Sequence, residues 1–230
     1  MITNNPISIQ PSFDIENKLL SQDYRIIGGI DEAGRGSLAG PLTIGLVIYS
    51  DSFIKKYPHD LEVLKNIKDS KQLTPKKRIE SLEIIKKHSK FTYTEMVSHQ
   101  IIDEININRA TEFAIIQLLS KISIKPDVII LDGNFTFNIG IPLISIKKGD
   151  TRSISIASAS IAAKVTRDKL FEHFDSIYPG YNFQKNKGYG TLEHRKALTE
   201  IGVSPIHRKT YQPVQNILQY PNSLLTSENQ

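Results

Sequence analysis

Four carboxylates in this 230-residue chain stand where an apolar run gives out. Asp31 and Glu32 follow Ile26-Ile27-Gly28-Gly29-Ile30, and Asp132 follows Val128-Ile129-Ile130-Leu131. Asp150 comes just after Leu143-Ile144-Ser145-Ile146, beyond Lys147-Lys148-Gly149. If the strands that carry them are neighbours, the four converge, and convergent carboxylates repel one another unless a cation sits among them. A donor set of oxygen alone favours a hard ion, Mg²⁺ or Mn²⁺. Two such ions about 3.5–4 Å apart form a clamp for in-line phosphodiester hydrolysis. Taken singly, the acids have plainer explanations. Asp132-Gly133 is also a turn signal, and Asp150 can complement the N-terminus of a following helix. The adjacent pair Asp31-Glu32 is harder to dismiss directly after an apolar strand. Asp103-Glu104 is an equally adjacent pair, but it lies in a polar, helix-like segment and reads as solvated surface.

Beside the first pair lies Gly34-Arg35-Gly36, a loop whose backbone a ligand can approach closely. A dinucleotide fingerprint would need a helix after the glycines. Residues 42–49 alternate as a strand instead, so that reading fails. Lys71 sits in a loop before a capped helix. Tyr189 stands between Gly188 and Gly190, near Lys185 and Lys187, an arrangement suited to stacking on a sugar or base. His207-Arg208-Lys209 adds positive charge, with Lys209 read as solvated, and His194 reads as a residue on a helix surface. Asp168 falls well inside a helix and reads as structural.

The elements that must position these residues follow from periodicity. Residues 24–30, 42–49, 91–97, 127–131 and 143–146 read as strands, the first two antiparallel neighbours joined across residues 36–41. Thr74-Pro75 opens a helix over 74–89, carried by Ile79, Leu82 and Ile85. Ser98 caps a short helix, and 109–122 carries a stripe of Phe113, Ile116 and Leu119, with Ala114 and Ile115 alongside. Residues 153–178 form a helix whose first half is small enough to lie close on a sheet, and 191–201 form the last clear helix, ended by Gly202. The order predicts an α/β domain with a mixed five-stranded sheet flanked by helices and a helical C-terminal extension. Residues 1–23 read as a flexible arm, 24–178 as the main domain, 179–219 as a C-terminal substrate-contacting region, and 220–230 as a disordered tail.

Composition narrows the class. Lys and Arg total 29 against 24 acids, a net charge of +5 that favours a polyanionic partner. With no cysteine, disulfides and thiolate metal sites are excluded, and a reducing cytoplasm fits. Neither a signal peptide nor an apolar run long enough to span a membrane is evident. A non-catalytic nucleic-acid-binding module would need only the basic surface. Four intact acids tell against it, since without metal they repel phosphate.

The blocks DEAGRGSLAGPL, DSKQLTPKKR, LDGN, KKGDTRSISIASASIAAKVTRD, NKGYGTLEH and SPIHRKTYQPV, in this order and spacing, resemble the motif series of ribonuclease HII over residues 25–214. The resemblance implies a ribonuclease H-like fold and a monomeric enzyme that uses Mg²⁺ or Mn²⁺, two ions during catalysis. It implies cleavage of RNA in RNA–DNA hybrids and on the 5′ side of ribonucleotides embedded in duplex DNA, leaving 3′-hydroxyl and 5′-phosphate ends. Such activity serves removal of misincorporated ribonucleotides and RNA primers. The family's catalytic, metal-binding acids fall on Asp31, Glu32, Asp132 and Asp150. Its 2′-hydroxyl-reading loop falls on Gly34, Arg35 and Gly36, its sugar-packing tyrosine on Tyr189, and its phosphate-contacting lysine on Lys71. Ser37 stands where proline is common, and Gln72 replaces a frequent second lysine. Arg35 and the short segment before the first strand distinguish the chain from ribonuclease HIII, which has Gly-Thr-Gly and a long N-terminal domain.

Overall fold

The computed structural model describes residues 10–56, 61–64, 67 and 70–219. After a helix α1 (Asp14–Leu20), three strands form an antiparallel meander: β1 (Ile27–Ala33), β2 (Leu42–Ile48) and β3 (Phe91–Val97). Between β2 and β3 lie α2 (Asp51–Lys56), α3 (Leu61–Leu64) and α4 (Pro75–His88). Helix α5 (His99–Lys121) leads to β4 (Val128–Asp132) and β5 (Leu143–Ile146), which extend the sheet in parallel from β1. The long α6 (Ile154–Ile177) follows, then α7 (Phe183–Asn186), α8 (Leu192–Ile201) and α9 (Gln212–Gln219). The strand order is β3-β2-β1-β4-β5, the mixed five-stranded sheet expected from the sequence. Among the described residues no helix is long and apolar enough to cross a membrane.

Alternation along the strands assigns each side chain to one of two layers. Ile30, Leu42, Ile44, Leu46, Ile48, Ile129 and Leu131 pack with α5, while Ile27, Val47, Tyr49, Val128 and Ile130 pack with α6. Helix α6 comes unusually close because the sheet offers it glycines. A Cβ on Gly29 would lie 2.4 Å from the Ser155 carbonyl carbon, and one on Gly45 would lie 2.2 Å from the Ala159 carbonyl oxygen. Alanines and serines on the helix complete the fit, and the approach carries the start of α6, with Asp150 just before it, against β1 and β4.

Three details differ from the sequence reading. First, β1 continues through Asp31 and Glu32 to Ala33, because β2 runs alongside and pairs Asp31 with Gly45 and Glu32 with Ile44. Second, the buried face of α5 is Ala110, Thr111, Ala114, Ile115, Leu118 and Leu119, whereas Ile116 is 43% exposed. The helix breaks at Asn106 (φ 65°), whose side-chain oxygen accepts from the Asn108 and Arg109 amides and so starts a fresh helix with its own phase. Ile79 on α4 is likewise exposed, and Leu82 and Ile85 carry that contact.

Third, the expected flexible arm over residues 1–23 does not hold for residues 10–23; residues 1–9, like the tail at 220–230, lie outside the described residues. Phe13, Leu19 and Leu20 are buried in the main core. Ser12 bridges to Ser153, and Glu16 reaches the N-terminus of α6, where it accepts from Ser153 Oγ (2.6 Å) and the Ser155 amide (3.1 Å). A polar composition concealed a helix that buries one of its two acids, Glu16, completely, and burial raises the Glu16 carboxyl above its usual range. Glu16→Ala is expected to cost about 2–4 kcal/mol, since it strips a buried hydroxyl and amide of their acceptor. Thermal denaturation should register a fall in Tm of several degrees, and an unchanged Tm would mean that α1 is not anchored this way.

The C-terminal helices share a third core with the body of the protein: Leu38, Ala39 and Phe171 pack with Tyr181, Phe183, Leu198, Ile206 and Val214.

Candidate active site

Asp31, Asp132 and Asp150 converge: one carboxylate oxygen from each lies within 4.8 Å of the others. They arrive from three elements. Asp31 projects from the α6 face of β1, Asp132 ends β4, and Asp150 sits in a 3₁₀ turn (Gly149–Thr151) ahead of α6. Local contacts fix them. Asp31 Oδ1 accepts from the Glu32 amide at 2.7 Å, and Ser160 of α6 bonds to the Asp31 side chain. Asp132 Oδ1 accepts from the Gly149 amide at 2.6 Å, which ties the end of β4 to the turn that carries Asp150.

Glu32, on the opposite face of β1, is not part of that triad. It faces Arg35 Nε at 3.6 Å, and its Oε2 is buried with no hydrogen-bond partner. Burial raises both neighbouring acids. Asp31 is held well above the carboxylate range by burial and by the charges of Glu32 and Asp132, against the Ser160 hydrogen bond. Glu32 is raised to about 7 by burial and by Asp132, against the pull of Arg35 and Lys71. Three convergent oxygens, an orphaned buried carboxylate oxygen nearby and two reluctant acids fit a bound divalent cation.

The sign of the pH effect follows. Folded Glu32 holds a proton that the unfolded chain releases nearer 4.5, so the metal-free protein loses stability as pH rises through that interval to about 7. Mn²⁺ or Mg²⁺ should therefore raise Tm by several degrees at about pH 8 and by less at about pH 5.5, where the ion must displace protons. Equal shifts at both pH values, in denaturation scans with and without metal, would contradict the assignment.

The cleft around the acids, about 360 Å³, is lined by Asp31, Glu32, Asp132, Lys71, Lys164 and Tyr189, together with Ala33, Ser70 and Ser160. Lys71 lies in a 3₁₀ turn (Ser70–Gln72) that is tied to α6 by the Ser70–Ser160 hydroxyl contact at 3.0 Å, and Arg78 Nη1 donates to the Ser70 carbonyl at 2.8 Å. Asp69 of the same motif lies outside the described residues. Tyr189 forms a bridge with Ser37, and its ring stands 5.5 Å from Lys164 Nζ.

The glycine loop is braced from several sides. The Arg35 side chain turns toward α5, donating to Thr111 Oγ1 and Asn108 Oδ1 at 2.7 Å each, with its guanidinium 4.9 Å from the Phe135 ring centre. The Arg35 carbonyl accepts from Arg208 Nη1 (2.8 Å) and Tyr211 Oη (2.6 Å).

Sequence reasoning missed several of these supports. Lys164 and Ser160 lie in a helix read as small and apolar. Arg208 and His207 looked like a basic surface, and His194 like a helix surface, yet all three are fully buried. Asp103, read as solvated, accepts from the Lys209 and Thr210 amides and so anchors that segment. Asp168 pairs with Lys164 at 2.7 Å and Arg78 at 3.4 Å, consistent with the structural part read for it.

A mixed sheet with this strand order carries a carboxylate cluster across β1, β4 and the turn after β5, an arrangement able to hold divalent cations against a phosphodiester. The comparisons with known proteins are narrower. The family model described as Ribonuclease HII matches residues 28–214. The chain is 47% identical to ribonuclease HII of Acholeplasma laidlawii over 204 residues, 89% of this chain and 96% of the relative. It is 42% identical to that of Ligilactobacillus salivarius, covering 94% of this chain and 81% of the relative. The crystal structure of ribonuclease H2 from Pyrococcus horikoshii superposes with a TM-score of 0.70 at 27% identity, covering 84% and 97% of the two chains. The chain belongs to the ribonuclease HII family. It is therefore an endoribonuclease with metal-dependent ribonuclease H activity on RNA–DNA hybrids.

Proposed function

We propose that this enzyme also cleaves on the 5′ side of single ribonucleotides embedded in duplex DNA, leaving 3′-hydroxyl and 5′-phosphate ends. It would thereby remove misincorporated ribonucleotides and RNA primers, acting as a cytoplasmic monomer. The observation that carries this reading is the convergence of three carboxylates, two of which line a cleft whose wall also holds Tyr189 and Lys71. Asp31, Asp132 and Asp150, with Glu32 beside them, would hold Mg²⁺ or Mn²⁺, two ions during turnover. When bound, such ions lower the cost of the negative charge that develops on the scissile phosphate.

The chain's own groups do the positioning. Lys71 and Lys164 offer positive charge to the substrate backbone. Gly34, Arg35 and Gly36 present main chain to the 2′-hydroxyl, the group that separates RNA from DNA at one nucleotide. Both acceptor positions of the Arg35 carbonyl are already taken, so reading falls to other backbone groups of the loop. Tyr189 packs on the sugar of the following nucleotide, at the RNA–DNA junction.

Tyr189→Ala is expected to lower kcat/KM on duplex DNA with one ribonucleotide by about tenfold or more, the scale of one lost stacking contact. Cleavage of a long hybrid should fall much less. Equal rates for the variant and the parent on the single-ribonucleotide duplex would overturn the junction role.

A further inference from the structure

Behind Tyr189 lies a feature outside the metal chemistry. His194 on α8 and His207 in the loop before α9 are both fully buried, with their Nε2 atoms 2.9 Å apart. His194 Nδ1 lies 2.9 Å from the Tyr189 carbonyl oxygen, and His207 Nδ1 lies 2.9 Å from the Ser204 amide. The directions of these bonds are fixed by elementary valence. The Ser204 amide can only donate, so His207 Nδ1 accepts from it, the Ser204 hydroxyl 2.7 Å from the same nitrogen donates alongside, and the proton of that ring is on Nε2. It is donated to His194 Nε2, which leaves the His194 proton on Nδ1, pointing at the Tyr189 carbonyl. The chain thus runs one way, from Ser204 through two neutral imidazoles to Tyr189. A second proton on either ring would set N–H against N–H.

The surroundings suit neutral rings. Tyr181 and Phe183 pack around both imidazoles at centroid distances of 5.1–6.3 Å. Burial lowers both histidines, His207 to about 4. The same segment also holds the glycine loop. His207 bridges to Ala39, the Arg208 amide donates to the Leu38 carbonyl at 2.8 Å, and the Gly40 amide donates to the Ile206 carbonyl at 2.9 Å.

We infer that His194 and His207 are a positioning pair that sets the Tyr189 loop against the loop of residues 34–41, and so sets the enzyme's preference for a ribonucleotide followed by DNA. The inference rests on the junction role given to Tyr189 above. Neither histidine meets the substrate; both act through the Tyr189 carbonyl.

The test is the ratio of kcat/KM on single-ribonucleotide duplex to kcat/KM on a long RNA–DNA hybrid. It is measured for the parent, His194→Ala, His194→Asn and Tyr189→Ala, with circular dichroism as a check on folding. His194→Ala should lower the ratio about tenfold, the scale of one buried hydrogen bond. His194→Asn, whose amide nitrogen can take the place of Nδ1 and donate to the carbonyl, should recover most of it. A folded His194→Ala that reduces both substrates in proportion, or neither, overturns the positioning role, as does a His194→Asn whose ratio stays as low as that of His194→Ala. Should His194→Ala not fold, His194→Asn with a ratio near that of the parent supports the pair, and an Asn variant as low as Tyr189→Ala overturns it. If Tyr189→Ala itself leaves the ratio unchanged, the junction reading fails; if it shifts the ratio and the histidine variants do not, only the pair does.

Discussion

Asp31→Asn and Asp132→Asn are each expected to abolish cleavage, by about 10³-fold or more, and Asp31→Asn also makes the metal-free protein harder to unfold. Loss of one ligand weakens a divalent ion that is asked for several kcal/mol of transition-state stabilisation, and each 1.36 kcal/mol is about tenfold in rate. The stability gain has the opposite origin. Without metal, Asp31 is buried against Glu32 and Asp132, and its charged form is disfavoured by both burial and repulsion. Asparagine removes the charge but keeps an oxygen to accept from Ser160 and from the Glu32 amide. A rise in Tm of a few degrees with loss of the metal-induced shift is the expected calorimetric signature. Activity within tenfold of the parent in both variants would sink the metal assignment.

Arg167→Ala should be the most destabilising change outside the main core. Arg167 is fully buried in α6 and gathers two loops around one guanidinium. Its Nε donates to the Pro41 carbonyl (3.0 Å), Nη1 to the Lys187 carbonyl (2.8 Å), and Nη2 to Ser37 Oγ (2.7 Å) and the Ala39 carbonyl (3.2 Å). The guanidinium also sits 4.4 Å from the Phe171 ring centre. Gly34 lies directly over it: a Cβ there would fall 2.2 Å from Nε, and φ is +96°. Alanine at 167 would leave several buried acceptors unpaired and a void beneath the glycine loop, at a cost of about 3–5 kcal/mol. Tm should fall by about 10 °C. Arg167→Lys keeps the charge but cannot span acceptors held in a planar fan, so it should recover only part of the loss. A Tm within about 2 °C of the parent for Arg167→Ala would show that other contacts hold the loops.

These contacts also mark where the sequence was legible. Strands β2 to β5 and helices α4, α6 and α8 were readable because their signals are local: alternation, a Thr-Pro cap, a run of small residues, a terminal glycine. The placing of Asp31, Asp132 and Asp150 at the ends of apolar runs was readable for the same reason. Their approach was not, since it depends on Gly29 and Gly45 admitting α6 to the sheet.

Long-range partners defeated the rest. Glu16 lies in a polar segment, and nothing near it announces a buried link to Ser153, 137 residues away. Arg208 sits in a His-Arg-Lys run that reads as a basic surface until the Arg35 and Gly40 carbonyls are seen to claim it. Arg35 reads in the sequence only as part of a loop offering its backbone to substrate, and its side chain braces that loop against α5. In each case a charged residue meets a partner distant in sequence, which no periodicity records.

The central claim is metal-dependent cleavage beside a ribonucleotide. The most direct test is a duplex DNA oligonucleotide carrying one ribonucleotide, incubated with the enzyme in Mg²⁺, Mn²⁺ or EDTA and resolved on a denaturing gel. A single cut on the 5′ side of the ribonucleotide with either ion, leaving a 3′-hydroxyl and a 5′-phosphate, and no cut in EDTA, is the expected result. Cleavage that persists in EDTA, or an intact single-ribonucleotide duplex under conditions where a long hybrid is cut, would contradict it.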